Sequence, residues 1–401
     1  MFSQVLYAAE IVGYIMAGRA IVRRLSGGWR EFLFALLNMS GVYLFFFQGA
    51  DRHLLPTFLA YLFCVLVQYG ALRLWAKTKG ALPWMAFFAP ILFLIIVRYA
   101  PDTCWSGLQT IHPAFFIGIS YLAFRASHLV LEVRNGVAPL PGIWEYLGFC
   151  FFVPIIPVGP INPYSNHRRG FDANKLEIPI PRAAMRVLVG FVKYKFIGSI
   201  CFQLSYGYLL FDDHYHHWID LAVAMIFYYL FLYCNFSGFC DMAIGAAGLM
   251  GIPVAENFDN PFAARNVKDF WNRWHITLSQ YMRDVVFAPL SKFLVRLTGP
   301  ANANHAIAIT IIAVFLLVGI WHGVGWNFAA YGAAHALGVV VNHYYTIWLK
   351  KRLGREGFKA YNSNRWIRAT AITLTFTYCE GTLFLFANTF PEMKRIFSIL
   401  K

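Results

Sequence analysis

Ala306-Ile-Ala-Ile-Thr-Ile-Ile-Ala-Val-Phe-Leu-Leu-Val-Gly-Ile-Trp-His-Gly-Val-Gly-Trp-Asn327 reads as an apolar helix, Ala306–Ile320, that runs straight into a histidine. A run this apolar asks for lipid or a protein core on every side. An imidazole at membrane depth is expensive unless it is paired or faces water, so His322 is first a functional candidate. The plainer alternative is a buried hydrogen bond. Gly319, Gly323 and Gly325 bracket the ring and let backbone or ligand approach closely.

Outward from this run, similar apolar segments recur at 4–22, 32–49, 54–75, 83–98, 112–131, 143–158, 184–210, 217–236, 324–347 and 367–388. The 401 residues are 59% hydrophobic and only 13% charged, against about 25% charged in a soluble domain. The fold class is therefore an all-α polytopic membrane protein, with about eleven transmembrane or re-entrant helices and short amphipathic helices between them. Met1–Val22 is read as the first span, since Glu10 and Arg19 interrupt it and no small-residue cleavage site follows.

The formal charge of +15 sits in short loops between apolar segments. That distribution fits anionic membrane lipids and a cytoplasmic excess of Lys and Arg, not nucleic acid. Seven cysteines, at 64, 104, 150, 201, 234, 240 and 379, fall mostly in apolar runs without C-x2-C spacing. They are read as apolar fillers, with no metal site and no disulfide.

Basic loops at Arg19–Arg30, at Arg73–Lys79 and around Arg134, alternating with Asp51-Arg52 and Pro101-Asp102, put the N-terminus outside. The alternation fails at 143–158. If that segment crossed, His167-Arg168-Arg169 and Lys175 would lie outside. It ends in Phe152-Val-Pro-Ile-Ile-Pro-Val-Gly-Pro160, and its prolines leave carbonyls unpaired. Residues 143–182 are therefore expected to be re-entrant, with both ends cytoplasmic. Asp212-Asp213 then lies outside and Lys350–Arg368 forms a basic cytoplasmic loop. The chain is read as one membrane domain, 1–401, with its chemistry in 235–327.

Within 235–303 no long apolar run occurs, and amphipathic pieces alternate with turns such as Asn257-Phe-Asp-Asn-Pro261. Here Phe270-Trp-Asn-Arg-Trp-His275 supplies a second histidine. On a continuous helix Trp271, His275 and Ser279 would share one face. His275 is a candidate catalytic or positioning residue, with a structural partner as the alternative. Arg273 is placed to hold a phosphate or carboxylate. His53, His112, His214, His216 and His217 are read as solvated or interfacial. A competing pattern, His167-x4-Asp172 with Glu380-Gly-Thr382, has the spacing used by glycerolipid acyltransferases. Both pieces are short, and Glu380 lies inside an expected span far from the first.

Together these segments resemble the membrane-bound O-acyltransferase superfamily, in the bacterial branch of the alginate O-acetylation and teichoic-acid D-alanyl transfer proteins. The carrying residues are Asn235-Phe-Ser-Gly-Phe-Cys-Asp-Met-Ala-Ile-Gly245, Glu256–Phe262, Asn266–Ser279, Arg283-Asp284 and Gly319–Asn327. Gly118-Ile-Ser-Tyr121 and Val158-Gly-Pro-Ile161 lie upstream. The resemblance implies helices in a ring around a tunnel, with His322 as the essential histidine and His275 as the second. It implies a bacterial cytoplasmic membrane location and no bound cofactor. The donor would be a thioester, acetyl-CoA or the phosphopantetheine of a cytoplasmic acyl carrier protein. His322 would take a proton from an acceptor hydroxyl. Trp274, Trp321, Asn327 and Asp241 would line or polarise the site, and Arg273 or Lys268 would hold the donor's phosphate end.

The implied partners are an extracytoplasmic protein that passes the group on and a polysaccharide acceptor. Acetyl transfer to an envelope polysaccharide is narrowly preferred, with D-alanyl transfer toward teichoic acid as the alternative. A transporter is the non-enzyme rival, but the chain lacks paired halves and intramembrane acid rings.

Overall fold

The computed structural model describes residues 2–47, 54–78, 83–100, 116–172, 178–210 and 215–401. Asp51, Arg52, His53, Lys79, Pro101, Asp102, Cys104, His112, Lys175, Asp212, Asp213 and His214 lie outside the described residues. Among those described, the chain is helical with two isolated β-bridges. The first half carries α1 (Phe2–Arg24), α2 (Gly27–Val42), α3 (Leu54–Lys77), α4 (Pro83–Tyr99) and α5 (Ile119–Arg134). Shorter helices follow: α6 (Ile143–Cys150), α7 (Tyr164–Arg168), α8 (Ile180–Phe191), α9 (Gly198–Gln203) and α10 (Tyr206–Leu209). The second half carries α11 (Trp218–Met250), α12 (Val267–Trp271), α13 (Ile276–Met282), α14 (Ala288–Thr298) and α15 (Ala303–His322). It ends with α16 (Trp326–Ser363), α17 (Arg365–Ala387) and α18 (Phe390–Ile399). Five helices among the described residues are long and apolar enough to cross a bilayer: Gly27–Phe47, Leu55–Lys77, Trp218–Met250, Pro300–His322 and Arg365–Ala387.

The chain packs as two compact units, Met1–Phe191 with Phe239–Glu256, and Val192–Gly238 with Asn257–Lys401. In the first, Tyr14, Phe34, Phe152, Ile155, Ala247 and Met250 form the core. The helix that begins at Ile143 stops at Cys150, followed by a 3-10 turn at Val153–Ile155. At 1.5 Å per residue α6 is about 12 Å long, less than half a hydrocarbon core. The irregular backbone beyond it is held by side chains. Asn38 Oδ1 accepts from the Val153 amide (3.2 Å) and the Tyr14 hydroxyl (2.6 Å). The Glu132 carboxylate accepts from the amides of Tyr164 and Ser165 at the start of α7. Asn162 ties this loop to the segment after α11, donating to the Pro253 carbonyl and accepting from the Ala255 amide. These bonds replace the ladder that the prolines remove.

Three expectations are corrected. The segment expected at 217–236 continues to Met250 as one 33-residue helix, so the motif Asn235–Gly245 is helical. Its small residues are packing sites: a methyl at Gly245 would lie 2.8 Å from the Ala183 carbonyl oxygen. The basic stretch from Lys350 is helical as far as Ser363, with a kink where Gly354 takes φ 65°. His216 is buried, its backbone paired with Ile399 and Lys401.

Candidate active site

The second unit contains both candidate histidines. α15 and α16 form a tight hairpin, and two glycines set its spacing. A methyl at Gly319 would lie 2.4 Å from the Phe328 carbonyl oxygen, and one at Gly332 would lie 2.4 Å from that of Phe315. The helices therefore touch backbone to backbone one turn below the hairpin bend. This places His322 at the C-terminal end of α15, half-buried, edge-on to Phe386 (5.1 Å between centroids) and Tyr331 (5.9 Å). Asn327, at the start of α16, donates to the Leu385 carbonyl (3.2 Å) and so fastens the hairpin to α17.

His275 arrives from a different direction. The helix expected through Trp271, His275 and Ser279 is broken: α12 ends at Trp271, and α13 begins at Ile276. Between them His275 adopts φ 45°, ψ 51°, a left-handed conformation uncommon outside glycine. The physical reason is Asn257. Its Oδ1 accepts from the Thr277 amide (3.2 Å) and hydroxyl (2.9 Å), while its carbonyl accepts from the Ile276 amide (3.0 Å). These bonds hold the chain in the turn, and the Ser279 amide donates back to the His275 carbonyl (3.1 Å).

The same Asn257 Oδ1 lies 3.2 Å from His275 Nδ1. An amide oxygen only accepts, so Nδ1 carries the proton and Nε2 carries the lone pair. Burial pushes the His275 pKa down to about 3, with the neighbouring His322 adding to the shift. A neutral imidazole that resists protonation is a good hydrogen-bond acceptor and a weak base. The Trp321 ring is shared by the two histidines, 6.3 Å from His275 and 4.7 Å from His322 between centroids. His275, Trp321, His322 and Tyr331 thus form one polar-aromatic cluster.

Other expected site residues fall elsewhere. Trp274 is buried against Phe258, Phe270, Tyr229 and Tyr233. Arg273 is held by Asp269 (2.9 Å) and by the Asp259 carbonyl (3.3 Å). Asp241, in the first unit, joins Glu256 around the Arg186 guanidinium. Lys268 is exposed and lines a cavity of about 590 Å³ in the second unit. Arg283 and Lys350 also line it, and no carboxylate does among the described residues. Its walls run along α15 from Ile307 to Val318, about 16 Å. Val318 is one turn from His322, and the lining residue Ser279 is one turn from His275.

His167 belongs to the first unit, in a box of Phe34, Phe149, Phe152 and Phe171. Its Nδ1 is buried and without a hydrogen-bond partner among the described residues, so no aspartate activates it there. Burial, with Arg125 adding, pushes its pKa down to about 3.

The sequence reading missed His335. It is 1% exposed, accepts from the Trp271 indole N–H at Nδ1 (3.1 Å) and meets Thr382 Oγ1 at Nε2 (3.0 Å). In Gly332-Ala-Ala-His-Ala-Leu-Gly338 it reads as one polar residue in a small-residue helix, and no local signal singles it out.

The described residues thus combine membrane-length apolar helices, a histidine pair around one tryptophan, and a cavity lined by Lys268, Arg283 and Lys350. The chain belongs to the membrane-bound O-acyltransferase family, whose model matches residues 53–379. It is an acyltransferase and a multi-pass membrane protein. It is 32% identical over 321 residues to a teichoic acid D-alanyltransferase of Streptococcus thermophilus, covering 76% of this chain and 75% of that one. A teichoic acid D-alanyltransferase of Bacillus subtilis is 30% identical over 76% of this chain and 77% of its own. A peptidoglycan O-acetyltransferase of Helicobacter pylori is 30% identical over 54% of this chain and 41% of its own.

Proposed function

We propose that the chain moves an acyl group from a cytoplasmic thioester to a hydroxyl of a cell-envelope polymer, with His322 as general base. His322 takes the hydroxyl proton as the oxygen attacks the thioester carbonyl. The C–S bond breaks, an ester forms, and the departing thiolate takes up the proton. His275, neutral and presenting Nε2, orients this step by accepting a hydrogen bond and does not carry the proton. The single observation behind the reading is the cluster His275–Trp321–His322 beside a cavity with three cations. Lys268, with Arg283 and Lys350, suits the phosphate of a phosphopantetheine thioester. Arg273 is engaged with Asp269, which makes it the lesser candidate for that role.

D-alanyl is the preferred acyl group, because the D-alanyltransferase matches run along three-quarters of both chains. Acetyl, narrowly preferred on the sequence alone, becomes the second reading, supported by a peptidoglycan O-acetyltransferase that is also 30% identical over 224 residues. The carrier or CoA donor, an extracytoplasmic acceptor protein and the bacterial cytoplasmic membrane belong to this proposal. So does a 143–182 segment with both ends cytoplasmic.

The test supplies membranes, expressed with the neighbouring envelope proteins, with labelled D-alanyl carrier thioester or labelled acetyl-CoA, and counts label in extracted polymer. Label from the carrier donor supports the preferred reading. Label from acetyl-CoA alone replaces it with the second. Label from neither, in folded protein, contradicts both donors proposed here.

A further inference from the structure

The histidine that the motifs pass over is held by bonds at both ring nitrogens. Thr382 Oγ1 donates to the Cys379 carbonyl (2.7 Å), so toward His335 it accepts. His335 therefore protonates Nε2 and keeps Nδ1 as an acceptor, which the Trp271 indole N–H uses. One imidazole thus joins three helices, α12 through Trp271, α16 through its own backbone and α17 through Thr382. Phe270 stacks on the ring at 10° and Phe315 at 23°, while Tyr331 meets it edge-on at 4.6 Å. The ring can neither flip nor change tautomer without breaking a buried bond.

Trp271 is also a wall of the 590 Å³ cavity, together with Phe315, Val318 and Leu278. A tryptophan on a five-residue helix has little local support for its rotamer. The bond to His335 supplies it, and Phe315 packs the other side (5.2 Å).

We propose that His335 is a positioning residue for the acyl donor: by accepting from Trp271 it fixes the indole that shapes the donor cavity. This rests on the reading of that cavity as the donor's. His335 touches neither donor nor acceptor, so its loss raises the donor KM and leaves kcat nearly unchanged.

The two nitrogens of the ring can be separated by substitution. In His335→Asn the amide oxygen reaches the place of Nδ1, and in His335→Gln the amide nitrogen reaches that of Nε2. The experiment compares wild type with His335→Asn, His335→Gln and Trp271→Phe, and with the double variant that combines the last two, measuring KM and kcat for the carrier thioester. H335N is expected within about twofold of wild type, and H335Q is expected to raise KM about three- to tenfold, the range of one net hydrogen bond. W271F is expected to raise KM at least as much as H335Q, because it also alters the cavity wall. H335Q added to W271F is expected to change KM no further, since the shared hydrogen bond is already lost.

An unchanged KM in H335Q, an equal effect of H335N and H335Q, or additive effects in the double variant would overturn the proposal. A variant that fails to fold is replaced by Thr382→Val, expected to keep KM because the Trp271 bond survives. A raised KM there counts against it. Wild type without turnover would overturn the donor reading, and this inference with it. Turnover with flat variants would overturn this inference alone.

Discussion

His167 and His275 are matched in burial and in the push on their pKa, down to about 3 in each, yet their surroundings differ in kind. His167 sits among phenylalanine rings in the first unit, its Nδ1 without a partner among the described residues. His275 has Nδ1 fixed by Asn257 and shares Trp321 with His322. Desolvation alone therefore does not mark a reactive site. What sets His275 apart is a partner that fixes its tautomer and a tryptophan ring shared with a second histidine.

The comparison breaks most readily at His322. Replacing it with alanine is expected to lower acyl transfer at least about 100-fold, the usual worth of a positioned general base. The detergent gel-filtration profile should stay intact.

The next effect is steric. Gly332→Val forces a side chain against the Phe315 carbonyl, and overpacking of this kind costs about 1–3 kcal/mol. Thermal unfolding in detergent should show a lower midpoint, with a smaller change for Gly13→Val, where nothing lies within 4 Å of an added Cβ.

Asn257→Ala sharpens the contrast from the other side. It removes the acceptor shared by His275 and Thr277, and orphaned buried donors cost about 1–3 kcal/mol. Activity should fall as well as stability, whereas Thr277→Val should affect stability alone. Equal activity in the two variants would remove Asn257 from the account of His275.

pH gives a smaller signal with a definite sign. Both histidines have folded pKa values below the ordinary 6.5. Above 6.5 the folded and unfolded forms are both neutral and no stability difference arises. Below it the unfolded chain takes up protons that the native chain refuses, so stability falls as pH drops from 6.5 toward 3. An unfolding midpoint followed across that window should decline, and His167→Phe should flatten part of the decline. The smallest expected effect is that of His167→Phe on activity, within about threefold, because a phenyl ring suits its box.

Much of this was legible in sequence because its physics is local. An apolar run that ends in Trp321-His322 announces both a span and a costly polar group. The prolines after Phe152 announce broken helix, and α6 indeed stops at Cys150. What escaped depends on distant partners. The break before Ile276 is enforced by Asn257, 18 residues from His275, and a helical i, i+4 reading cannot see it. His335 owes its place to Trp271 and Thr382, 64 and 47 residues away. The reach of α11 to Met250 goes beyond the segment read at 217–236, and its Gly245 and Gly248 are close contacts for Ala183, Val187 and Ile178.

The most direct measurement of the central claim places His322→Ala, His275→Ala and His167→Phe in one assay of labelled acyl transfer to polymer, each checked for folding. Transfer is expected to vanish in the first, to fall partway in the second and to persist in the third. A folded His322→Ala protein that still transfers at the wild-type rate would contradict a general base at that position.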